Sequence, residues 1–379
     1  MHLLAAILGV LLMLVILWDG FETIILPRRV TRRLRLARLF YRCTWRPWRA
    51  AARRMKRGKA RESFLSVYGP LSLLLLFVLW AGGLIVAFAL LHWAAASLQA
   101  SSVDAPSFGT DLYMSGTTFF TLGLGDVIPH TPAGRFITVL ECGTGLGFLA
   151  IVISYLPVLY GAFSRREVNI SLLDARAGSP PTAAELLRRH VRSRNLEALN
   201  QFLRDWEVWS AELMESHLSF PVLCYYRSQH DNQSWLAALA AVLDVCALLI
   251  SGAEGALRWQ AQLTFAISRH ALVDLAQVLQ TPPAQPEADR LPGADFDYLR
   301  ELLCGAGIWA LNCDVEQKLR DLRTRYEPYL AGLSRRLLMP YPAWKGTDGP
   351  ADNWKTSAWE KISSQGALAI TAITDEEHR

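Results

Sequence analysis

Six residues, Thr121-Leu122-Gly123-Leu124-Gly125-Asp126, have the types and spacing in this chain best suited to chemistry. Glycine at alternate positions frees the backbone for conformations that a Cβ forbids. A narrow loop built this way can turn its carbonyl oxygens inward in successive layers. Stacked rings of such oxygens replace the water shell of a dehydrated potassium ion. A ring needs several contributors and the chain holds one such run, so the chemistry calls for several copies of the chain. In isolation a Gly-x-Gly-Asp run is an ordinary turn. Its surroundings decide against that reading.

The run lies between two long apolar segments. Residues 71–98 hold no charge and one histidine, His92, and residues 136–163 are interrupted only by Glu141. Each is long enough to cross about 30 Å of hydrocarbon. Between them, residues 108–120 read as a short helix that Ser107 or Thr110 can cap, its C-terminal partial negative charge directed at a cation. A third apolar stretch, residues 3–18, continues past Asp19 and Glu22 to Leu26. It has no basic leader and no small-x-small cleavage site, which argues against a secretory signal. With 52% hydrophobic residues among 379, the composition suits a membrane part joined to a soluble part.

Leu112-Tyr113-Met114-Ser115-Gly116-Thr117-Thr118, the glycine run, and then Pro129, Thr131 and Gly134-Arg135 extend the pattern. Over roughly residues 68–162 the chain resembles bacterial potassium channels with a single pore loop. The resemblance implies an outer helix 68–98, a pore helix 108–120, a filter 121–126 and an inner helix 134–163. It implies potassium as the permeant ion, held by the carbonyls of Thr121, Leu122, Gly123 and Leu124 and by the Thr121 hydroxyl. Gly125 completes the filter, Asp126 lies just outside it, and Asp104 and Asp111 add acid to the outer region. Several positions depart from the family. Leu124 replaces the usual filter tyrosine, as in the second pore loop of some two-pore-domain channels. Thr117 stands where one bacterial type has a glutamate behind the filter. Met114 replaces a tryptophan that can bond the aspartate, and Phe120 the first threonine of a pair. Together these changes remove polar braces from around the filter.

Glu141 is a candidate to support the pore helix in place of the missing glutamate. The competing reading is an ordinary paired interior carboxyl. By resemblance, Gly145 falls at the inner-helix hinge and Pro157 near the constriction, where a lost hydrogen bond bends the helix. Gly143, Gly145 and Gly147 equally permit close helix packing, so hinge and packing both stand.

Thirteen arginines and two lysines, with no acid, lie between Arg28 and Arg61. Such a cluster beside membrane spans stays cytoplasmic. That puts the N-terminus outside, the filter at the outer face of the cell (inner) membrane and the chain from Ser164 onward in the cytoplasm. Outside the cluster the chain has 24 basic and 34 acidic residues, so the net charge of +5 carries no sign of nucleic acid. Leu34, Leu36, Leu39, Phe40, Trp45 and Trp48 interleave with the arginines. The segment reads as an interfacial helix, bounded or bent at Pro27 and Pro47, that binds anionic lipids through Arg29, Arg32, Arg35 and Arg38. Every-third arginines also suit a voltage-sensing helix. That domain needs three companion helices, and one span precedes this segment. An inert topogenic signal is the remaining reading.

Beyond Ser164, residues 182–218, 233–251, 254–280, 296–312 and 314–337 read as helices by their apolar spacing. Thr281 to Gly293, with four prolines, reads as a linker, and the tail beyond Pro340 as irregular. Trp235 to Ile250 has one charge, Asp244. It is short for a span and reads as a buried bundle helix. The six cysteines, Cys43, Cys142, Cys224, Cys246, Cys304 and Cys313, avoid the outer segment and are expected to be free thiols. His270 and Asp274, one turn apart, are more simply a satisfied pair than a metal site. No phosphate loop, nucleophile motif or zinc spacing points to an enzyme or a bound cofactor.

The sequence thus describes an all-α membrane protein. Its parts are a transmembrane helix at 1–27, a basic linker at 28–66, a pore domain at 67–163 and a helical cytoplasmic domain at 164–379. The expected function is passive potassium conduction by a homotetramer, gated by a lipid or by an unidentified cytoplasmic ligand. The alternatives are a weakly selective cation channel and a non-conducting sensor or scaffold that keeps the architecture.

Overall fold

The computed structural model describes residues 2–26, 35–95, 98–100, 107–192, 196–230, 232–309 and 315–346. The chain forms two units, Met1–Ala162 and Phe163–Arg379. In the first, α1 (His2–Gly20) ends in a π-helical turn, Phe21–Ile25. Helices α2 (Leu36–Arg54), α3 (Lys59–Ala94) and α4 (Phe108–Phe119) follow, and then α5 (Pro132–Ala177). Two short strands, β1 (Leu98–Ala100) and β2 (Val127–Pro129), pair antiparallel with Gln99 opposite Ile128. They join the chain leaving α3 to the chain leaving the glycine run.

The helix ends differ from the sequence expectation for identifiable reasons. The outer helix begins at Lys59 rather than 68, directly after Gly58 at φ 155°, because its charged first turns contain no breaker. The inner helix runs to Ala177 rather than 163, since nothing between 164 and 177 interrupts it and Gly178, at φ 80°, stops it. At 46 residues it is about 69 Å long, more than twice a hydrocarbon core, so part of it lies beyond the lipid. Pro132 takes the first helical position, where its missing N–H costs nothing, and the Thr131 hydroxyl accepts the Gly134 N–H at 3.0 Å. Pro47 lies inside α2 and does not bound it. Packing holds that helix: Trp48 stacks on Phe64 of α3 at 4.4 Å, and Trp45 meets Tyr68 at 4.7 Å.

Asp19, near the end of α1, explains how α2 is oriented. Its two carboxylate oxygens accept the Ala37 N–H, at the first turn of α2, at 3.2 and 3.0 Å. Oδ2 also accepts the Trp80 indole N–H of α3 at 3.0 Å. One buried carboxylate thus caps α2 and ties three helices together. Most other large side chains of α1, Leu3, Leu4, Leu8, Leu11 and Leu14 among them, are exposed, as a lipid-facing helix requires.

The second unit contains α6 (Ala183–Arg192), α7 (Leu196–Ser219), a 3₁₀ turn at Pro221–Tyr225, α8 (Trp235–Gly252) and α9 (Gly255–Val278). Helices α10 (Gly293–Gly305), α11 (Val315–Arg323) and α12 (Glu327–Leu337) complete it. The expected helix 314–337 is two helices, because Pro328 starts a new one at its first turn. The expected helix 296–312 stops at Gly305, ahead of Gly307 at φ 69°. The expected helix 182–218 is described as α6 and α7, with residues 193–195 outside the described residues.

Helix α8 is apolar and long enough to cross a membrane, but protein surrounds it: Trp235 to Leu249 are all buried. Its one charge, Asp244, pairs with Arg290 at 2.5 Å and accepts the Tyr326 hydroxyl at 2.7 Å. Burial alone would make Arg290 easier to deprotonate; Asp244 and Glu327 outweigh it and hold the guanidinium above its ordinary value. A paired, hydrogen-bonded ion of this kind is what a protein core tolerates. Cys43, Cys142, Cys224, Cys246 and Cys304 are free thiols, and Cys313 lies outside the described residues. His270 and Asp274 pair with each other at 3.2 Å, and no group of three metal-ligating side chains occurs among the described residues.

Arg166, near the end of α5, has a structural role. Arg166 is buried and donates to the carbonyls of Leu223 and Tyr226 at 3.0 and 3.1 Å, and to His217 Nε2 at 3.1 Å. Because an arginine only donates, Nε2 must be the unprotonated nitrogen. Burial, and then the guanidinium, hold the His217 imidazole well below its ordinary range, so the folded unit keeps it neutral. An unfolded histidine takes a proton near about pH 6.5. Below that pH the unfolded chain binds more protons, and stability falls by up to about 1.4 kcal/mol per pH unit. Melting curves should show this loss in the wild type and a flattened one in His217→Gln. An unchanged slope in the variant would contradict the assignment.

Candidate functional site

The site is built on α4. The Ser107 hydroxyl accepts the Thr110 N–H at 3.3 Å, so Ser107 is the cap and Thr110 is not. The last turn of α4 then holds the start of the glycine run through backbone groups. Thr118 accepts the Thr121 N–H at 2.9 Å. The Thr117 carbonyl accepts the Leu122 N–H at 2.7 Å and the Gly123 N–H at 3.4 Å. Thr117 therefore meets the run with its carbonyl, while its hydroxyl turns back to the Met114 carbonyl at 2.9 Å.

The run itself alternates in handedness. Thr121, Gly123 and Gly125 have φ of 57°, 55° and 80°, and Leu122 and Leu124 between them do not have positive φ. Left-handed backbone is ordinary for glycine and an outlier for a β-branched residue, so Thr121 is a strained position held by its neighbours. Among the described residues, no hydrogen bond is accepted by the carbonyls of residues 121–125. Polar backbone without such partners requires water or an ion. Residues 121–126 are exposed in the single chain, including Leu122 and Leu124, each at 63%.

Asp126 has a partner that the sequence reading missed. The Tyr113 hydroxyl donates to its Oδ2 at 2.9 Å, and Oδ1 accepts the Val127 N–H at 3.1 Å. With Met114 in place of tryptophan, this aspartate was expected to lack a bond to the pore helix; Tyr113, one residue earlier, supplies it. The signal was available, since a hydroxyl sits one position from the usual donor. Tyr113→Phe should leave assembly intact and shorten the lifetime of the conducting state in single-channel records. Unaltered lifetimes would mean that the bond carries no mechanical load.

On α5, Glu141 and Gly145 lie one turn apart on the face toward α4. The Glu141 carboxylate is fully buried, 3.3 Å from His92 Nε2 of α3, with the buried Ser115 hydroxyl of α4 beside it, short of full hydrogen-bond geometry. Gly145 packs against the end of α4 so closely that a Cβ there would lie 2.0 Å from the Phe119 carbonyl oxygen. At Gly145, then, the structure has a close contact in an unbroken helix. Pro157 also lies inside α5, and the helix continues past it. Asp111 is buried in the single chain. Asp104 lies outside the described residues.

The basic segment is described in part. Arg29 and Arg32 lie outside the described residues. Arg35 has partners within the chain: it donates to the Thr23 hydroxyl at 3.1 Å and lies 3.5 Å from the Glu22 carboxylate. Two acids at the end of α1, unweighed as partners in the sequence, engage this end of the linker. Arg38 is half-buried, and Arg42, Arg46, Arg53 and Arg54 are exposed further along α2.

Comparison with known proteins agrees with this geometry. Residues 73–159 match the family model described as "Ion channel". Over 251 residues the chain is 25% identical to the uncharacterized membrane protein YdjJ of Bacillus subtilis (strain 168), covering 65% of this chain and 71% of that one. No solved structure matches the chain. With its lipid-length apolar helices, this is an all-α membrane protein.

Proposed function

We propose that the chain assembles as a homotetramer that conducts potassium passively. The carbonyls of Thr121, Leu122, Gly123 and Leu124 hold the ion, Gly125 closes the filter and Asp126 borders its mouth. One observation carries this reading. The N–H groups of residues 121–123 are taken by α4, while the carbonyls of 121–125 accept nothing among the described residues. A cation is the partner that a row of such oxygens suits. Irregular backbone at membrane depth is tolerated only when buried in protein or lining water, which supports assembly around a shared axis. Native mass measurement in mild detergent should give a tetramer, and a stable monomer or dimer as the sole species would refute the assembly.

The N-terminus lies outside and the unit beginning at Phe163 in the cytoplasm, an orientation supported by the fifteen basic residues between Arg28 and Arg61. Helix α2 rests on the anionic inner leaflet through Arg46, Arg53 and Arg54, with Arg29, Arg32 and Arg38 contributing. Each cation near such a surface is worth up to about 1 kcal/mol. Neutralising Arg46, Arg53 and Arg54 together should weaken the dependence of flux on anionic lipid and leave selectivity alone. An unchanged lipid dependence would reduce the segment to a topological signal. A weakly selective cation pore is the second reading. It is favoured by Leu124, which brings no hydroxyl to the filter.

A further inference from the structure

On the reading of residues 121–125 as an ion filter, we propose that His92 is a positioning residue for it. The imidazole acts through Glu141 as a proton-dependent clamp that fixes the pore helix between the outer and inner helices. Three observations converge. First, His92 of α3 and Glu141 of α5 are both fully buried with 3.3 Å between Nε2 and Oε2. Two ionisable side chains taken out of solvent are costly unless each serves the other, and removing one strands its partner. Second, the pair meets α4 from two sides. Ser115 lies beside the Glu141 carboxylate, and Asp111, one turn earlier, is within electrostatic reach of His92. Third, the same face of α5 touches α4 again one turn on, where Gly145 meets Phe119. Residues 141 and 145 therefore grip 115 and 119, a spacing of one turn on both helices. The turn so gripped contains Thr117 and Thr118, whose carbonyls hold the N–H groups of residues 121–123.

The clamp is complete with one proton on the pair and a compensated charge. A second proton discharges the carboxylate and leaves a buried cation, and removal of the first leaves a buried anion. Among the described residues, Glu141 from α5 and Asp111 from α4 are ionisable groups facing His92; on α1, His2 meets the carbonyl of the adjacent Trp93 and is exposed. Changing the proton count should thus loosen α4 and, with it, the filter.

The test uses the full chain, wild type, His92→Gln, Glu141→Gln and the double variant. Potassium flux into vesicles is recorded against pH, and melting temperature is measured in detergent. The wild type should show a pH-dependent flux that both single variants flatten. The double variant should lose no more melting temperature than the worse single variant, because removing both members strands neither. A wild-type pH profile in either single variant, or additive losses of melting temperature, would overturn the clamp. If the wild type passes no ion at all, the pore reading fails, and the melting temperatures still decide the clamp.

Discussion

Gly145→Ala should remove most ion flux while leaving helical content and assembly in place. The added Cβ would lie 2.0 Å from the Phe119 carbonyl oxygen and 2.9 Å from its carbonyl carbon. Both are backbone atoms, so no side-chain rotation relieves the contact. Overpacking of this kind costs about 1–3 kcal/mol. The displacement falls on the last turn of α4, which holds the filter N–H groups. A shift of that size away from the conducting arrangement corresponds to roughly a tenfold loss or more. Altered potassium-over-sodium selectivity should accompany it, because the filter itself moves. A hinge role predicts something different: changed opening with selectivity intact. Gly143 and Gly147, where a Cβ meets nothing within 4 Å in the subunit, are the controls. Wild-type flux in Gly145→Ala would refute the packing account.

Gly123→Ala should degrade selectivity for a conformational reason. No atom lies within 4 Å of a Cβ at this position, yet its φ is 55°. A left-handed conformation costs an L-residue roughly 1–2 kcal/mol. In the proposed fourfold ring that cost recurs in every subunit, so the loop should relax and its oxygen layers separate. Reversal potentials under opposed potassium and sodium should move toward zero preference. Preserved selectivity in this variant would remove Gly123 from the filter.

The chain announced its pore more clearly than the supports around it. The glycine run, its flanking apolar segments and the pore helix were legible because each has a local signature, in backbone freedom or in length. Partners were not. Periodicity shows which face of a helix is buried, not what it meets. So Arg35 reads as one of a row of lipid-facing cations until Glu22 and Thr23 are found beside it. Glu141 reads as an interior acid until His92 appears across from it. Gly145 reads equally as hinge or contact until the distance to Phe119 is known. Helix ends erred in both directions. A basic first turn hid the start of α3, and the unbroken sequence after 163 hid the extension of α5. In the second unit Pro328 divided a pattern that looks continuous.

Ion flux through the purified protein in vesicles tests the central claim most directly. A potassium gradient should drive uptake of a tracer cation, and replacing potassium with sodium should nearly abolish it. Equal flux of the two ions would contradict potassium selectivity and leave the weakly selective pore. No flux of either, from a protein shown to be tetrameric and folded, would contradict conduction itself.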